Sequence, residues 1–165
     1  MISHNRAIGS YDGSLRAILH AFKYDGCRSL SRGLGSHLAA ASADILSVAD
    51  IVVPVPLHHR KQRARGFNQA RELAEELGMP VFDVLKRTRS TPSQTGLAAS
   101  ERRENMGRAF ALRRNVDVAG LRVVLVDDVS TTGATLEACA EVLRAGGASD
   151  VSAVTAARVV SQLPE

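Results

Sequence analysis

The apolar positions of this chain fall into two rhythms that alternate along its length. Within 14–24, SLRAILHAFKY, Leu15, Ile18, Leu19 and Phe22 recur at the spacing that turns one helical face toward a core. A second helix is expected within 29–46. The rhythm then shortens: residues 50–55, DIVVPV, are β-branched and compact, as in a short strand. Segment 68–77 returns to helical spacing and is stopped by Gly78. Residues 80–85 suit a strand or a helix equally. Residues 86–105 are polar, basic and broken by Pro92 and Gly96, so they read as an exposed and mobile connection. A strand over 121–126, a helix over 134–145 closed by Gly146 and Gly147, and a strand over 151–156 complete the series. Strand, loop, helix and strand in that order imply right-handed crossovers and a mostly parallel sheet, an α/β fold. A chain of 165 residues is sized for one domain around a single core.

The strand at 121–126 behaves unlike one with a wet face. VVLV does not alternate with polar residues, so it is expected at the centre of the sheet, covered on both sides. Ligands of open parallel sheets bind beyond the carboxyl ends of the strands, which is where Asp127 and Asp128 emerge. Ser130, Thr131, Thr132, Gly133 and Thr135 follow in the turn into the next helix, offering hydroxyls and backbone amides at its N-terminus. No Walker lysine or Gly-x-x-x-x-Gly spacing is present, so one phosphate group suits the turn better than a nucleoside triphosphate. The two acids repel a phosphate but can accept hydrogen bonds from vicinal hydroxyls of a sugar attached to it, each worth about 1.5–3 kcal/mol. A capping turn of purely structural purpose uses the same residue types. A receiver domain also pairs acids after its first strand, but too little chain follows Asp128 to build the rest of one.

Composition narrows the classes further. An apolar share of 45% with 23% charged residues is that of a soluble globule, and no apolar run approaches the length of a membrane span. Residues 1–10 do not resemble a signal peptide. Two cysteines, Cys27 and Cys139, build neither a disulfide framework nor a four-cysteine zinc site, so a cytoplasmic setting is expected. Cys139, on the helix after the turn, reads as a core residue. The 21 basic against 17 acidic residues favour anionic partners, either phosphorylated small molecules or nucleic acid. Much of the positive charge sits in HHRKQRARG, just after the strand ending at Val55 and on the predicted edge of the acids. His58 and His59 are adjacent rather than at ligand spacing, so no zinc is assigned to them.

VVLVDDVSTTGAT, 123–135, resembles the phosphoribosyl pyrophosphate (PRPP) motif of type I phosphoribosyltransferases. With YDGSLRAILHAFKYDG, PVPLHHRKQRARGFNQA, TPSQTGL and ERRENMGRAF, the resemblance narrows to the ComF/GntX family and covers nearly the whole chain. It implies a type I fold: a PRPP-binding core over about 48–160 and a small helical hood over about 1–47. Asp127 and Asp128 would hold the ribose hydroxyls, and Ser130, Thr131, Thr132, Gly133, Ala134 and Thr135 the 5-phosphate. Arg60, Lys61, Arg63 and Arg65 would meet the pyrophosphate. Lys86, Arg87 and Arg89 would open a catalytic loop that closes over PRPP. Gln94, Arg102 and Asn105 match the family pattern without an assignable role. Mg²⁺ would arrive with PRPP. The implied reaction transfers phosphoribose to an unidentified acceptor. A non-catalytic role in DNA uptake, with competence proteins or single-stranded DNA as partners, stands beside it, and a homodimer is left open. The family's cysteine-rich zinc module has no counterpart in these residues.

Overall fold

The computed structural model describes residues 1–88 and 109–160. In chain order its elements are β1 (Asn5–Ser10), α1 (Gly13–Tyr24), α2 (Leu30–Ala41), α3 (Ala43–Leu46), β2 (Ile51–Pro54), α4 (His59–Arg65), α5 (Gln69–Glu75), β3 (Leu85–Arg87), β4 (Phe110–Leu112), β5 (Arg122–Ser130), α6 (Ala134–Ala145) and β6 (Asp150–Arg158). Four of the strands form one parallel sheet in the order β1, β6, β5, β2. β3 and β4 pair antiparallel in a separate ribbon.

The unbroken apolar run of β5 has the expected cause. Val123 and Leu125 face one layer, packed with Leu136, Cys139 and Leu143 of α6 and with Leu85 and Phe110 of the ribbon. Val124 and Val126 face the other, with Leu19 and Phe22 of α1, Leu34 and Leu38 of α2 and Leu73 of α5. β6 divides in the same way, Val151 and Ala153 to the first layer and Val154 and Ala156 to the second. Burying a residue of this size stabilises by about 1.5–3 kcal/mol, so a polar substitution on either side of β5 removes core from one whole layer. In the second layer α2 and α5 approach so closely that a Cβ on Gly35 would lie 2.2 Å from the Cβ of Glu76.

Several elements differ from the expectation. β5 runs past Val126 to Ser130, so both aspartates lie inside a hydrogen-bonded strand rather than in the turn after it. The basic segment after β2, given no helical rhythm above, is the helix α4, capped by the His58 imidazole, which accepts from the Arg60 N–H at 3.3 Å, and closed by Gly66 at φ 80°. Residues 80–85 contribute one parallel bridge, Val81 to Val52, before β3 begins. The first 47 residues, expected as a helical hood, supply α1 to α3 and also β1, which is hydrogen-bonded to β6. Lys86 and Arg87 belong to β3, whereas Arg89, Gln94, Arg102 and Asn105 lie outside the described residues.

Candidate active site

Side chains alternate across a strand, so neighbouring acids on β5 emerge on opposite sides of the sheet. Asp127 continues the row of Val123 and Leu125, and Asp128 that of Val124 and Val126. Each meets a cation from its own layer. The Lys23 ammonium, from the last turn of α1, lies 3.0 Å from Asp128 Oδ1, and the two side chains are only 14% and 13% exposed. On the other side Arg87 of β3 interacts electrostatically with Asp127 and lies over the Phe110 ring, 5.2 Å from its centroid. Burial works against the Arg87 charge, and Asp127 offsets part of that cost.

The backbone holds both carboxylates. Asp127 Oδ1 accepts from the Asp128 N–H at 2.9 Å, and Asp128 Oδ1 accepts from the Val129 N–H at 2.6 Å. The two backbone N–H groups and the Lys23 ammonium thus all meet the pair at Oδ1. Burial and the adjacent charge of Asp128 push Asp127 up to about 7, against the pull of the Asp128 N–H and of Lys23 and Arg87. A half-buried carboxyl held this far above its ordinary range is a functional-site signal. Beneath it, Thr155 is the β6 residue in register with Asp127, fully buried, and its hydroxyl has no hydrogen-bond partner among the described residues.

The hydroxyl-rich turn stands where the sequence puts it. Ser130 is the buried last residue of β5, Thr131 and Thr132 are exposed, and Gly133 takes φ 77°. That left-handed conformation suits glycine and reverses the chain into α6. Ala134 opens α6 and Thr135 lies in its first turn. Thr132 Oγ1 accepts from the Ala134 N–H at 3.4 Å, a long bond, and the N-cap residue, Gly133, has no side chain to cap the helix. The exposed turn and the uncapped helix start therefore leave donors that an anion can take.

The basic candidates separate by environment. Arg60, Lys61 and Arg63 are exposed on α4. Arg65 is held in place: it donates to Gln69 Oε1 at 3.1 Å and to the Tyr24 hydroxyl at 3.2 Å, with its guanidinium 5.0 Å from the Tyr24 ring centroid. Lys86 is exposed and Arg87 is half-buried. Cys139 is fully buried in the first layer, and burial pushes its thiol up, as suits a core residue.

Lys23 was absent from the residues singled out in the sequence, although a signal existed. It follows Leu15 and Leu19 at four-residue spacing, so it sits on the apolar stripe of α1, where a cation needs a buried partner. A cleft of about 400 Å³, lined in part by Ser3, Asp44, Arg122 and Asp150, lies at the amino ends of β5 and β6, the opposite edge from the acids. Its charges are already paired, Arg122 with Asp50, Arg6 with Asp44 and Arg144 with Asp150.

A parallel sheet whose central strand delivers two acids and then a hydroxyl turn at a helix start defines a type I phosphoribosyltransferase fold. The family model for the phosphoribosyl transferase domain matches residues 63–164. Glutamine PRPP amidotransferase from B. subtilis, complexed with ADP and GMP, superimposes with a TM-score of 0.52 at 29% identity, over 78% of this chain and 26% of that one. Competence protein F of Haemophilus influenzae is 35% identical over 155 residues, 87% of this chain and 68% of that protein. Competence protein ComFC of Bacillus subtilis is 30% identical over 160 residues, 96% of this chain and 65% of that protein. The chain belongs to the ComF family, and it carries the phosphoribosyltransferase-type domain. Among the described residues no helix is long and apolar enough to cross a membrane.

Proposed function

We propose that this protein binds PRPP at the carboxyl end of β5 and transfers its phosphoribosyl group to a nitrogen nucleophile. The observation that carries the reading is the run from Asp127 and Asp128 directly into the hydroxyl turn and the uncapped start of α6. The acids accept hydrogen bonds from the ribose hydroxyls, and the turn at 130–135 takes the 5-phosphate through its hydroxyls and backbone N–H groups. Arg60, Lys61 and Arg63, exposed on α4, receive the pyrophosphate, and Arg65 fixes α4 against Tyr24.

In the reaction the bond from C1 of the ribose to the pyrophosphate oxygen breaks as a C1–N bond forms, through a transition state with oxocarbenium character. The protein contributes position and charge rather than a covalent nucleophile. Among the described residues no group of three His, Cys, Asp or Glu side chains gathers as a metal cage, and each acid already faces a cation. A Mg²⁺ carried in with PRPP would supply charge to neutralise the departing pyrophosphate, and no side chain is assigned to hold it. The acceptor is a substrate without an assigned pocket.

A second reading is favoured by the relatives' own designations as competence proteins. In it the PRPP fold serves DNA uptake without turnover, and the basic α4 meets competence proteins or single-stranded DNA. Incubation with PRPP, Mg²⁺ and a panel of nitrogenous bases, with pyrophosphate measured, separates the two. Base-dependent release supports transfer; PRPP binding without release under any base supports the accessory role.

A further inference from the structure

Asp128 meets its cation inside the protein. A lysine on the apolar stripe of α1, 14% exposed, is costly to bury unless its charge is matched, and Asp128 Oδ1 matches it at 3.0 Å. The cation also sits in the last turn of α1, where the helix dipole favours positive charge. Oδ1 of Asp128 is therefore occupied twice, by Lys23 and by the Val129 N–H. These two contacts fix the carboxylate in rotation and leave Oδ2 as the oxygen for an outside donor. Asp127, whose Oδ1 takes the Asp128 N–H, is arranged alike on the opposite side of the sheet.

We propose that Lys23 is a positioning residue of the ribose site: its ammonium holds Asp128 Oδ1 and so turns Oδ2 toward a hydroxyl of the bound sugar phosphate. The proposal rests on the PRPP-binding reading and extends that site to the C-terminal end of α1, an element outside the PRPP motif. Two adjacent carboxylates resist sharing two negative charges, so one of them needs a fixed counter-charge before both can accept hydrogen bonds from a vicinal diol. Lys23 supplies that charge to Asp128. On the other side Arg87 of β3 faces Asp127, with Cys139 of α6 behind it.

The test uses the full chain with Lys23→Met, which removes the charge at similar length, and Lys23→Arg, which restores it. Lys23→Gln is the second neutral variant should Lys23→Met fail to fold. Calorimetry measures PRPP with Mg²⁺, and the melting temperature of each variant is recorded beside it. PRPP affinity should fall about tenfold in Lys23→Met and return toward that of the unaltered protein in Lys23→Arg. A purely structural role would lower the melting temperature of Lys23→Met without changing PRPP affinity, or leave Lys23→Arg as weak a binder as Lys23→Met, and either result overturns the proposal. Tighter PRPP binding by Lys23→Met overturns it also, since Lys23 would then block the site. Failure of the unaltered protein to bind PRPP is a different outcome: it removes the functional reading and the ribose role together.

Discussion

Asp127 is a position at which stability and ligand binding should respond in opposite directions to one substitution. A carboxyl raised from 3.8 to about 7 binds its proton more tightly folded than unfolded. Its contribution to stability is therefore fully present below about pH 4 and is lost as pH rises through about 7. At about 1.4 kcal/mol for each tenfold in proton affinity, the penalty above pH 7 has a ceiling of about 4 kcal/mol. Part of that belongs to the coupling with Asp128, and solvent reaches the partly exposed carboxylate, which leaves about 2 kcal/mol. Asp127→Asn keeps an oxygen that can accept from the Asp128 N–H and removes the charge. For a chain of this size the variant should melt about 4–8 °C above the unaltered protein near pH 8. The gap should shrink to a small remainder near pH 4, where the folded carboxyl holds its proton and the unfolded one is about half protonated. Differential scanning calorimetry of the two proteins at both pH values is the assay, since other titrating groups cancel in the difference. The same variant should bind PRPP more weakly, by about 1–3 kcal/mol, because an amide offers a ribose hydroxyl no charge-assisted bond. A melting difference that is the same at both pH values, or a less stable variant near pH 8, would refute the reasoning about buried charge.

Replacing Arg60, Lys61 and Arg63 together by alanine should lower affinity for inorganic pyrophosphate by about tenfold or more while moving the melting temperature little, because all three are exposed; unchanged pyrophosphate binding in calorimetry would detach α4 from the site. Thr155→Val should stabilise by about 1 kcal/mol in urea unfolding, since it replaces a buried hydroxyl lacking a partner with a methyl of the same shape. A loss of stability there would mean that the hydroxyl is satisfied in solution. Gly35→Ala should cost about 1–3 kcal/mol in the same assay, because the new Cβ would displace Glu76 and part α2 from α5.

What was legible in the sequence followed from how strongly each segment specifies itself. The run VVLVDD, the helix after it and β6 were readable because two-sided burial leaves a signature in every residue. α6 spans the expected residues, Ala134–Ala145, since its apolar face and its glycine stop agree. β1, NRAIGS, carries no such signature: its residues are exposed or intermediate, and its place at the edge comes from pairing with β6, with Ile8 packed against the second layer and Arg6 paired with Asp44. β3 and β4 are three residues each and depend on a partner distant in sequence. α4 lacks an apolar face, and its ends, the His58 cap and Gly66, decide it. In the candidate site, Asp127, Asp128 and the turn were visible because their chemistry is local. Lys23 and Thr155 were not, because each matters only through a strand or helix brought beside β5 by the fold.

The order of the sheet also bears on how the chain is made. Its two inner strands, β5 and β6, leave the ribosome after β1 and β2, the outer ones. Neither outer strand pairs with an earlier element, so most of the chain must wait, with Leu19, Phe22, Leu38 and Leu73 uncovered, until residues beyond 120 emerge. During synthesis the nascent chain is therefore a client for chaperones that hold apolar helices, and folding should be late and abrupt rather than progressive. A ribosome stalled before β6 would present a chain that no lengthening of the pause can fold.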